Sequence, residues 1–185
     1  MNTRKHGSES SFHFQNRLKF TTRFVMQELK TANNILDIGD ESRIGISLSE
    51  FYRCDYIHTI GDLDAEWKPT SIKEFDVVFC FEVLEHLLNP LLFLRTLKKY
   101  IGNETKVFIS TPHRPCILRS KDVHWKEFSL EEFNYLLDLA GYKDITFKLE
   151  KFKKYPLDYF KGVRPLIRLF ADYDGLHLIN KESET

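Results

Sequence analysis

The chain has 185 residues, of which 42% are hydrophobic, and its 27 basic residues balance 27 acidic ones. Such a length and composition fit one domain that buries a core without disulfides or metal ions. The zero net charge argues against nucleic acid or an anionic membrane as the main partner. No apolar run approaches the ~20 residues of a membrane span, and three widely spaced cysteines are typical of reduced thiols, so we expect a cytoplasmic protein.

Helix-like and strand-like segments alternate along the first part of the chain. The polar residues 1–11 are predicted to be disordered, and 17–29 has the spacing of an amphipathic helix. A buried strand over 34–39 leads through a polar loop into a helix near 44–52, which completes a first β-loop-α unit. A second strand follows over 56–60. The short distance from there to the next strand indicates that one strand and helix are shortened or missing.

The middle of the chain continues this alternation. Residues 67–70 are predicted to form a turn before the next strand. Its uninterrupted apolar run, 77–80, is typical of a strand buried on both faces of a parallel sheet. Asn89 as a cap and Pro90 at the first helical position predict the start of the next helix. Another strand is expected over 106–110.

The last part of the chain adds a capped helix and further strands. Ser129 and Glu132 have the spacing of a capping box, and a final strand is expected over 176–179. The whole pattern predicts an α/β fold with a doubly wound, mostly parallel sheet and a late antiparallel strand. We expect a single domain over 12–180 that includes a basic helical insertion over 153–173.

Polar chemistry is concentrated directly after the strand that contains the apolar run 77–80. The sequence there reads EVLEHLL, and at roughly 100° per residue Glu82, Glu85 and His86 would share one face of a helix that opens at Glu82. Doubly wound sheets bind their ligands at the carboxyl ends of the strands. The pattern therefore predicts two carboxylates and an imidazole at a ligand site.

Residues at successive strand ends follow one another in an order that resembles a known family. Asp37-Ile38-Gly39 comes after the first strand, Asp62 and Asp64 after the second, EVLEH after the third, and His124 precedes a Glu-Phe-Ser segment. This order is similar to that of class I S-adenosylmethionine-dependent methyltransferases. Within them it is most similar to the ubiquinone-biosynthesis O-methyltransferase type (methyltransferase types 11 and 23) and its relatives in surface-polysaccharide pathways.

The resemblance implies that S-adenosylmethionine is the cofactor. The family's first loop usually reads acid-x-Gly-x-Gly-x-Gly, because glycines let the backbone approach the cofactor closely. Here Glu41 and Arg43 stand in place of the second and third glycines; Asp40 or Glu41 could pair with the cofactor's ammonium and Arg43 with its carboxylate. An acid after the second strand would bind the ribose hydroxyls, and Asp62 is slightly preferred over Asp64. The cofactor-binding candidates that the resemblance gives are Asp37, Gly39, Asp40, Glu41, Asp62, Asp64, Phe81 and Glu82.

Three interpretations of EVLEH stay open. In some relatives the two glutamates and the histidine bind a divalent cation together with a second histidine. The corresponding metal site would consist of Glu82, Glu85, His86 and His124, would suit Mg, Mn or Zn, and would activate an acceptor hydroxyl. Alternatively, His86 alone is the catalytic general base. In the third interpretation these side chains are the solvated face of an amphipathic helix.

The resulting hypothesis is methyl transfer from S-adenosylmethionine to a hydroxyl of a small molecule, such as a sugar, a polysaccharide precursor or a phenolic lipid precursor. The basic segment 151–168 could contact a membrane surface or a lipid-linked substrate. A methyltransferase-like binding or scaffold protein without turnover is the alternative, favoured by Glu41 and Arg43. An RNA 2′-O-methyltransferase is a further alternative, against which the neutral charge argues.

Overall fold

The computed structural model describes five stretches of the chain, which are 12–71, 74–113, 125–142, 145–152 and 173–181. The α-helices of these stretches are α1 (Phe12–Glu28), α2 (Arg43–Tyr52), α3 (Pro90–Leu97) and α4 (Leu130–Ala140). Side chains that precede three of the helices accept hydrogen bonds from their first turns, as expected of N-caps. These caps are Ser42 for α2, Asn89 for α3 and Ser129 for α4, the last within a complete capping box with Glu132.

One seven-stranded sheet forms the centre of the molecule, in the spatial order β3-β2-β1-β4-β5-β7-β6. Its strands are β1 (Asn34–Asp37), β2 (Asp55–Gly61), β3 (Trp67–Pro69), β4 (Val77–Phe81), β5 (Lys106–His113), β6 (Ile145–Phe152) and β7 (Tyr173–Lys181). The four strands β2, β1, β4 and β5 run parallel, whereas β3 and β7 pair in antiparallel fashion with β2 and β5. Because the strand order reverses between β1 and β4, a crevice lies at the carboxyl ends of these two strands.

Two apolar clusters cover the two faces of the sheet. On one face, Ile35, Val77 and Phe108 pack with apolar residues of α1 and α2. On the other face, Val78 and Ile109 pack with apolar residues of α3 and α4. Coverage on both faces explains why β4 is an uninterrupted apolar run. No helix in the described part of the chain is both long and apolar enough to cross a membrane.

The predicted fold class is confirmed, including the late antiparallel strand and the reduced βα unit. Residues 67–70 were expected to form a turn, which is wrong, because 67–69 are β3 and form a hairpin with β2. No helix joins β2 to β3 in the described chain. The hairpin therefore replaces a full βα unit and shortens the chain between the second strand and β4.

The helix expected to open at Glu82 is also wrong. Glu82 has a left-handed backbone (φ 56°), and Leu84–His86 form one 3₁₀ turn. Asn89 cannot continue a helix because it precedes Pro90, which disfavours helical backbone in the residue before it. The segment between β4 and α3 is therefore confined to a single short turn.

Some predictions lie outside the described residues. These are the disordered segment 1–11, His124, and the basic helical insertion as far as residue 172. The strand β7 begins at Tyr173, the last residue of that predicted insertion. The single-domain boundaries remain a prediction.

Candidate active site

The loop after β1 is built around a buried carboxylate. Oδ2 of Asp37 accepts hydrogen bonds from the hydroxyls of Ser42 (2.6 Å) and Tyr56 (2.7 Å). Burial raises the pKa of Asp37 to about 6, and the two hydroxyl donors oppose this rise. Asp37 was predicted to bind the cofactor; the structure directs its Oδ2 to the N-cap of α2 and to β2, so it holds the loop in place.

Gly45 is a residue that the sequence reasoning missed. It lies in the first turn of α2, and a Cβ there would overlap Oδ2 of Asp37 and come within 2.8 Å of the Tyr56 ring. The close approach of helix and strand therefore requires a glycine at this position. The available signal was a glycine early in a predicted helix, where glycine is otherwise unfavourable.

An open cleft of about 360 Å³ lies at the carboxyl ends of β1 and β2. This volume is within the range of small-molecule sites. Gly39 has φ 101°, its N–H donates to Oγ1 of Thr59 (2.8 Å), and the space where its Cβ would stand is open. The cleft is lined by Gly39, Asp40, His58, Thr59, Ile60, Gly61 and Leu63.

The two charged residues that replace loop glycines do not line this cleft. Glu41 has a side chain that is 62% exposed, and its Oε1 lies 3.8 Å from Nδ1 of His58. Arg43 is exposed at the first position of α2. Of the loop candidates, Gly39 and Asp40 therefore reach the cleft wall, whereas Glu41 and Arg43 do not.

Asp62 and Asp64 follow β2 at the rim of the cleft but have different surroundings. Oδ1 of Asp62 accepts the backbone N–H of Asp64 (3.0 Å), and Asp62 is exposed. Oδ1 of Asp64 instead accepts the backbone N–H of Asn89 (2.7 Å) and so connects this loop to the start of α3. The structure therefore gives Asp64 a defined structural contact and leaves Asp62 at the more open position.

Glu82 lies at the carboxyl end of β4 with both carboxylate oxygens bonded. Arg17 of α1 donates from Nη1 to Oε2 (2.9 Å), and Ser110 of β5 donates from its hydroxyl to Oε1 (2.9 Å). The Glu82 backbone N–H donates to the carbonyl of Ser110 (3.0 Å). These contacts hold a residue whose left-handed backbone costs of order 1–3 kcal/mol, a strain that is found most often at functional sites.

Glu85 and His86 differ in exposure although they are adjacent. The Glu85 side chain is fully buried, and Oε2 lies 3.4 Å from the hydroxyl of Thr111. Its backbone carbonyl accepts the N–H of Trp125 (2.9 Å). The His86 side chain is 35% exposed, and Nε2 lies 4.0 Å from Oε1 of Glu85. The interpretation of EVLEH as a solvated helix face is therefore wrong, because Glu85 belongs to the interior.

The described members of the predicted metal site do not fit a metal ion. Glu82 is bonded to Arg17 and Ser110, whereas the Glu85 carboxyl group is buried beside Thr111. In the described stretches, no group of three or more His, Cys, Asp or Glu side chains is arranged to hold a metal. His124, the fourth predicted ligand, lies outside them.

Comparison with known proteins identifies the family. The family model described as a methyltransferase domain matches residues 12–147, well over half of the chain. A search of curated proteins found no significant match.

Solved structures with the same fold include several methyltransferases. The plantazolicin methyltransferase BpumL, in complex with a pentazolic desmethylPZN analog and SAH, is 17% identical with a TM-score of 0.55, over 92% of this chain and 85% of that chain. The 1,6-didemethyltoxoflavin-N1-methyltransferase of Burkholderia thailandensis is 12% identical with a TM-score of 0.57, over 89% and 78%. A SAM dependent methyltransferase from Archaeoglobus fulgidus is 14% identical with a TM-score of 0.58, over 92% and 100%. With the family match over most of the described chain, this protein belongs to the methyltransferase domain family.

Proposed function

We propose that the protein transfers a methyl group from S-adenosylmethionine to a hydroxyl of a small molecule, such as a sugar, a polysaccharide precursor or a phenolic lipid precursor. The observation that carries the acceptor chemistry is the partly exposed imidazole of His86, in the 3₁₀ turn that follows the carboxyl end of β4. A neutral hydroxyl is a weak nucleophile and needs a base to take its proton as the methyl group is transferred.

The cofactor in this proposal lies across the carboxyl ends of β1 and β2. Its adenosine portion occupies the 360 Å³ cleft, where the open space above Gly39 lets the ligand approach the backbone. Asp62 accepts hydrogen bonds from the ribose hydroxyls. Because Glu41 and Arg43 are exposed and do not line the cleft, their presence in the loop is compatible with this placement.

His86 is the proposed general base. Its side chain is exposed enough to meet an acceptor, and Oε1 of Glu85 lies 4.0 Å from Nε2. A carboxylate behind an imidazole stabilises the imidazolium that forms when the ring takes a proton. The remaining catalysis is positioning of the acceptor oxygen in line with the sulfonium methyl group.

The proposal includes no metal ion, because the described members of the predicted site are engaged in other contacts. Glu82 already has a cationic partner in Arg17, and Glu85 is buried away from solvent. We therefore expect EDTA to leave cofactor binding unchanged. The membrane or lipid contact of 151–168 also remains a proposal, and it concerns residues that lie mostly outside the described stretches.

Small-molecule acceptors are supported by the chemistry named for two of the similar structures. The Burkholderia thailandensis enzyme was solved with 1,6-didemethyltoxoflavin and S-adenosylhomocysteine bound, and BpumL with a desmethylPZN analog. The former methylates nitrogen by its name, so an acceptor screen has to include amines as well as hydroxyls. An RNA 2′-O-methyltransferase finds no support in the zero net charge.

Calorimetric titration with S-adenosylmethionine and S-adenosylhomocysteine tests the cofactor half of the proposal. We expect micromolar binding in EDTA and the same affinity with Mg or Mn. A metal-dependent rise in affinity would contradict the metal-free site. No binding under either condition would instead favour a methyltransferase-like scaffold protein without turnover.

The acceptor half needs a second measurement, which is methyl transfer to a panel of sugars, phenols and amines by wild type and His86→Gln. We expect transfer to a hydroxyl and a loss of about 10²-fold or more in kcat for the variant, the usual size of a general-base contribution. Cofactor affinity serves as the control and should not change. Equal rates for both proteins would show that His86 is not the general base.

A further inference from the structure

Arg17 lies far from Glu82 in sequence but meets it at the site. The two residues are 65 positions apart, and their side chains form a 2.9 Å ion pair between α1 and the carboxyl end of β4. The exposed fractions are 29% for Arg17 and 12% for Glu82. A charged hydrogen bond at this burial is stronger than a solvated surface pair, because water screens it less.

The Glu82 carboxylate is therefore held in one orientation. Arg17 bonds one oxygen, and the buried Ser110 bonds the other at 2.9 Å. A carboxylate oxygen pair offers about four acceptor positions and can receive more than two donors at once. Both of these partners thus orient Glu82 and still allow it to accept a hydrogen bond from a ligand.

The position of Glu82 places it next to the cofactor loop. Asp37 of β1 pairs with Phe79 of β4, and the Ile38 N–H donates to the Phe79 carbonyl (2.9 Å). Continuing this parallel register sets Gly39 opposite Phe81, one residue before Glu82. The carboxylate therefore lies at the switch point between β1 and β4, on the side of the loop away from the adenosine cleft.

We propose that Arg17 is a positioning residue of the methyltransferase site, which fixes the Glu82 carboxylate to receive the ammonium group in the methionine portion of the cofactor. The inference rests on the proposed function, since it requires the cofactor, whose adenosine portion lies at β1 and β2, to extend its methionine portion to the end of β4. It makes α1 part of the site and assigns the ammonium to Glu82. Of the loop residues that the sequence suggested for this group, Asp40 lines the adenosine cleft and Glu41 does not line it.

The test compares two ligands that differ in the group concerned. S-adenosylhomocysteine carries the ammonium and carboxylate, whereas 5′-methylthioadenosine keeps the adenosine and thioether and lacks both. For Arg17→Met we expect S-adenosylhomocysteine binding to weaken about tenfold or more, which corresponds to about 1.4 kcal/mol, while 5′-methylthioadenosine affinity stays unchanged. Arg17→Lys keeps the charge and should recover most of the loss.

Arg23→Met is the matched control, because Arg23 lies on the same helix and is exposed. It should bind both ligands as wild type does. Thermal unfolding of all variants without ligand detects general damage, which would weaken both ligands equally. Glu82→Gln provides an independent variant and should show the same selective loss.

Four outcomes overturn the inference. If wild type binds neither ligand, the proposed function fails and this inference with it. If wild type binds S-adenosylhomocysteine but Arg17→Met binds it equally well, or loses both ligands in parallel, the inference alone fails. If Asp40→Asn selectively loses affinity for S-adenosylhomocysteine, whereas Arg17→Met and Glu82→Gln do not, the ammonium group binds to the loop after β1.

Discussion

Single side chains in this site have roles that follow from their partners more than from their type. Asp62 and Asp64 are two acids at one strand end, yet Asp64 accepts the N–H of Asn89 and Asp62 is exposed at the cleft rim. The hydrogen bond of Asp64 supports the start of α3. The exposed position of Asp62 is suited to binding a ligand.

Replacing each of these two acids by alanine should separate the two roles. We expect Asp62→Ala to weaken S-adenosylhomocysteine binding about tenfold, because the ribose hydroxyls lose an acceptor, and to remove only a local, exposed hydrogen bond from the Asp64 N–H. Asp64→Ala should leave that affinity unchanged and lower the unfolding free energy by about 0.5–1.5 kcal/mol, since it removes the hydrogen bond that joins this loop to Asn89. Calorimetry and urea denaturation of both variants check this, and the opposite assignment of effects would move the ribose contact to Asp64.

The same dependence on partners limits what the sequence could predict about the site. The cluster of polar residues at the strand ends was predictable, because it needs only the strand pattern and the polar residues that follow each strand. The pairing of Glu82 with Arg17 was not, since it depends on how α1 crosses the sheet. The burial of Glu85 was not predictable either. Helical spacing places Glu85 on a solvated face, but the helix on which this spacing depends does not form.

Among the secondary-structure elements, α2 packs closely against β1 because Gly45 has no side chain. Gly45 lets the first turn of the helix approach the Asp37 carboxylate, which in turn accepts the Ser42 hydroxyl. The helix N-terminus and the strand end are therefore fitted to each other. A larger residue at this position would push them apart.

Gly45→Ala tests this fit. Alanine favours helix by up to about 1 kcal/mol over glycine, but overlap with Asp37 and Tyr56 should reverse the sign and destabilise the protein by about 1–3 kcal/mol. Ser47→Ala on the exposed side of α2 is the control and should change the unfolding free energy by less than about 0.5 kcal/mol. Urea denaturation gives both values. A neutral or stabilising Gly45→Ala would show that the helix can move away without cost.

Elements with strong local signals were predicted well, and elements that depend on their neighbours were not. The Ser129 and Glu132 capping box specifies the start of α4 through bonds within one turn, and the structure confirms it. The strand β3 has three residues and exists only because β2 lies beside it. The turn after β4 is short because Glu82 adopts a left-handed backbone held by Ser110, a contact that no local pattern encodes.

For the molecule as a whole, the buried Asp37 links stability to pH. Its pKa is raised to about 6 in the folded protein, against 3.8 for the exposed side chain. A raised carboxyl pKa means that the folded state binds the proton more tightly than the unfolded state does. This contribution to stability is therefore full below pH 3.8 and is lost as the pH rises through about 6.

We expect the unfolding free energy of wild type to fall relative to that of Asp37→Asn between about pH 4 and 7, by up to about 3 kcal/mol at about 1.4 kcal/mol per pH unit. The amide keeps an acceptor for the hydroxyl of Ser42 or Tyr56 and carries no titrating proton. Urea denaturation of both proteins across this pH range measures the difference. Parallel profiles would show that Asp37 does not titrate there.

The short hairpin beside β2 also has a consequence for the edge of the sheet. An exposed edge strand with free N–H and C=O groups invites another chain to pair with it, and natural proteins avoid this with very short strands and proline. The β3 strand has three residues and ends in Pro69, which has no N–H to donate. Replacing a βα unit by this hairpin thus shortens the chain and also protects that edge of the sheet against aggregation by strand addition.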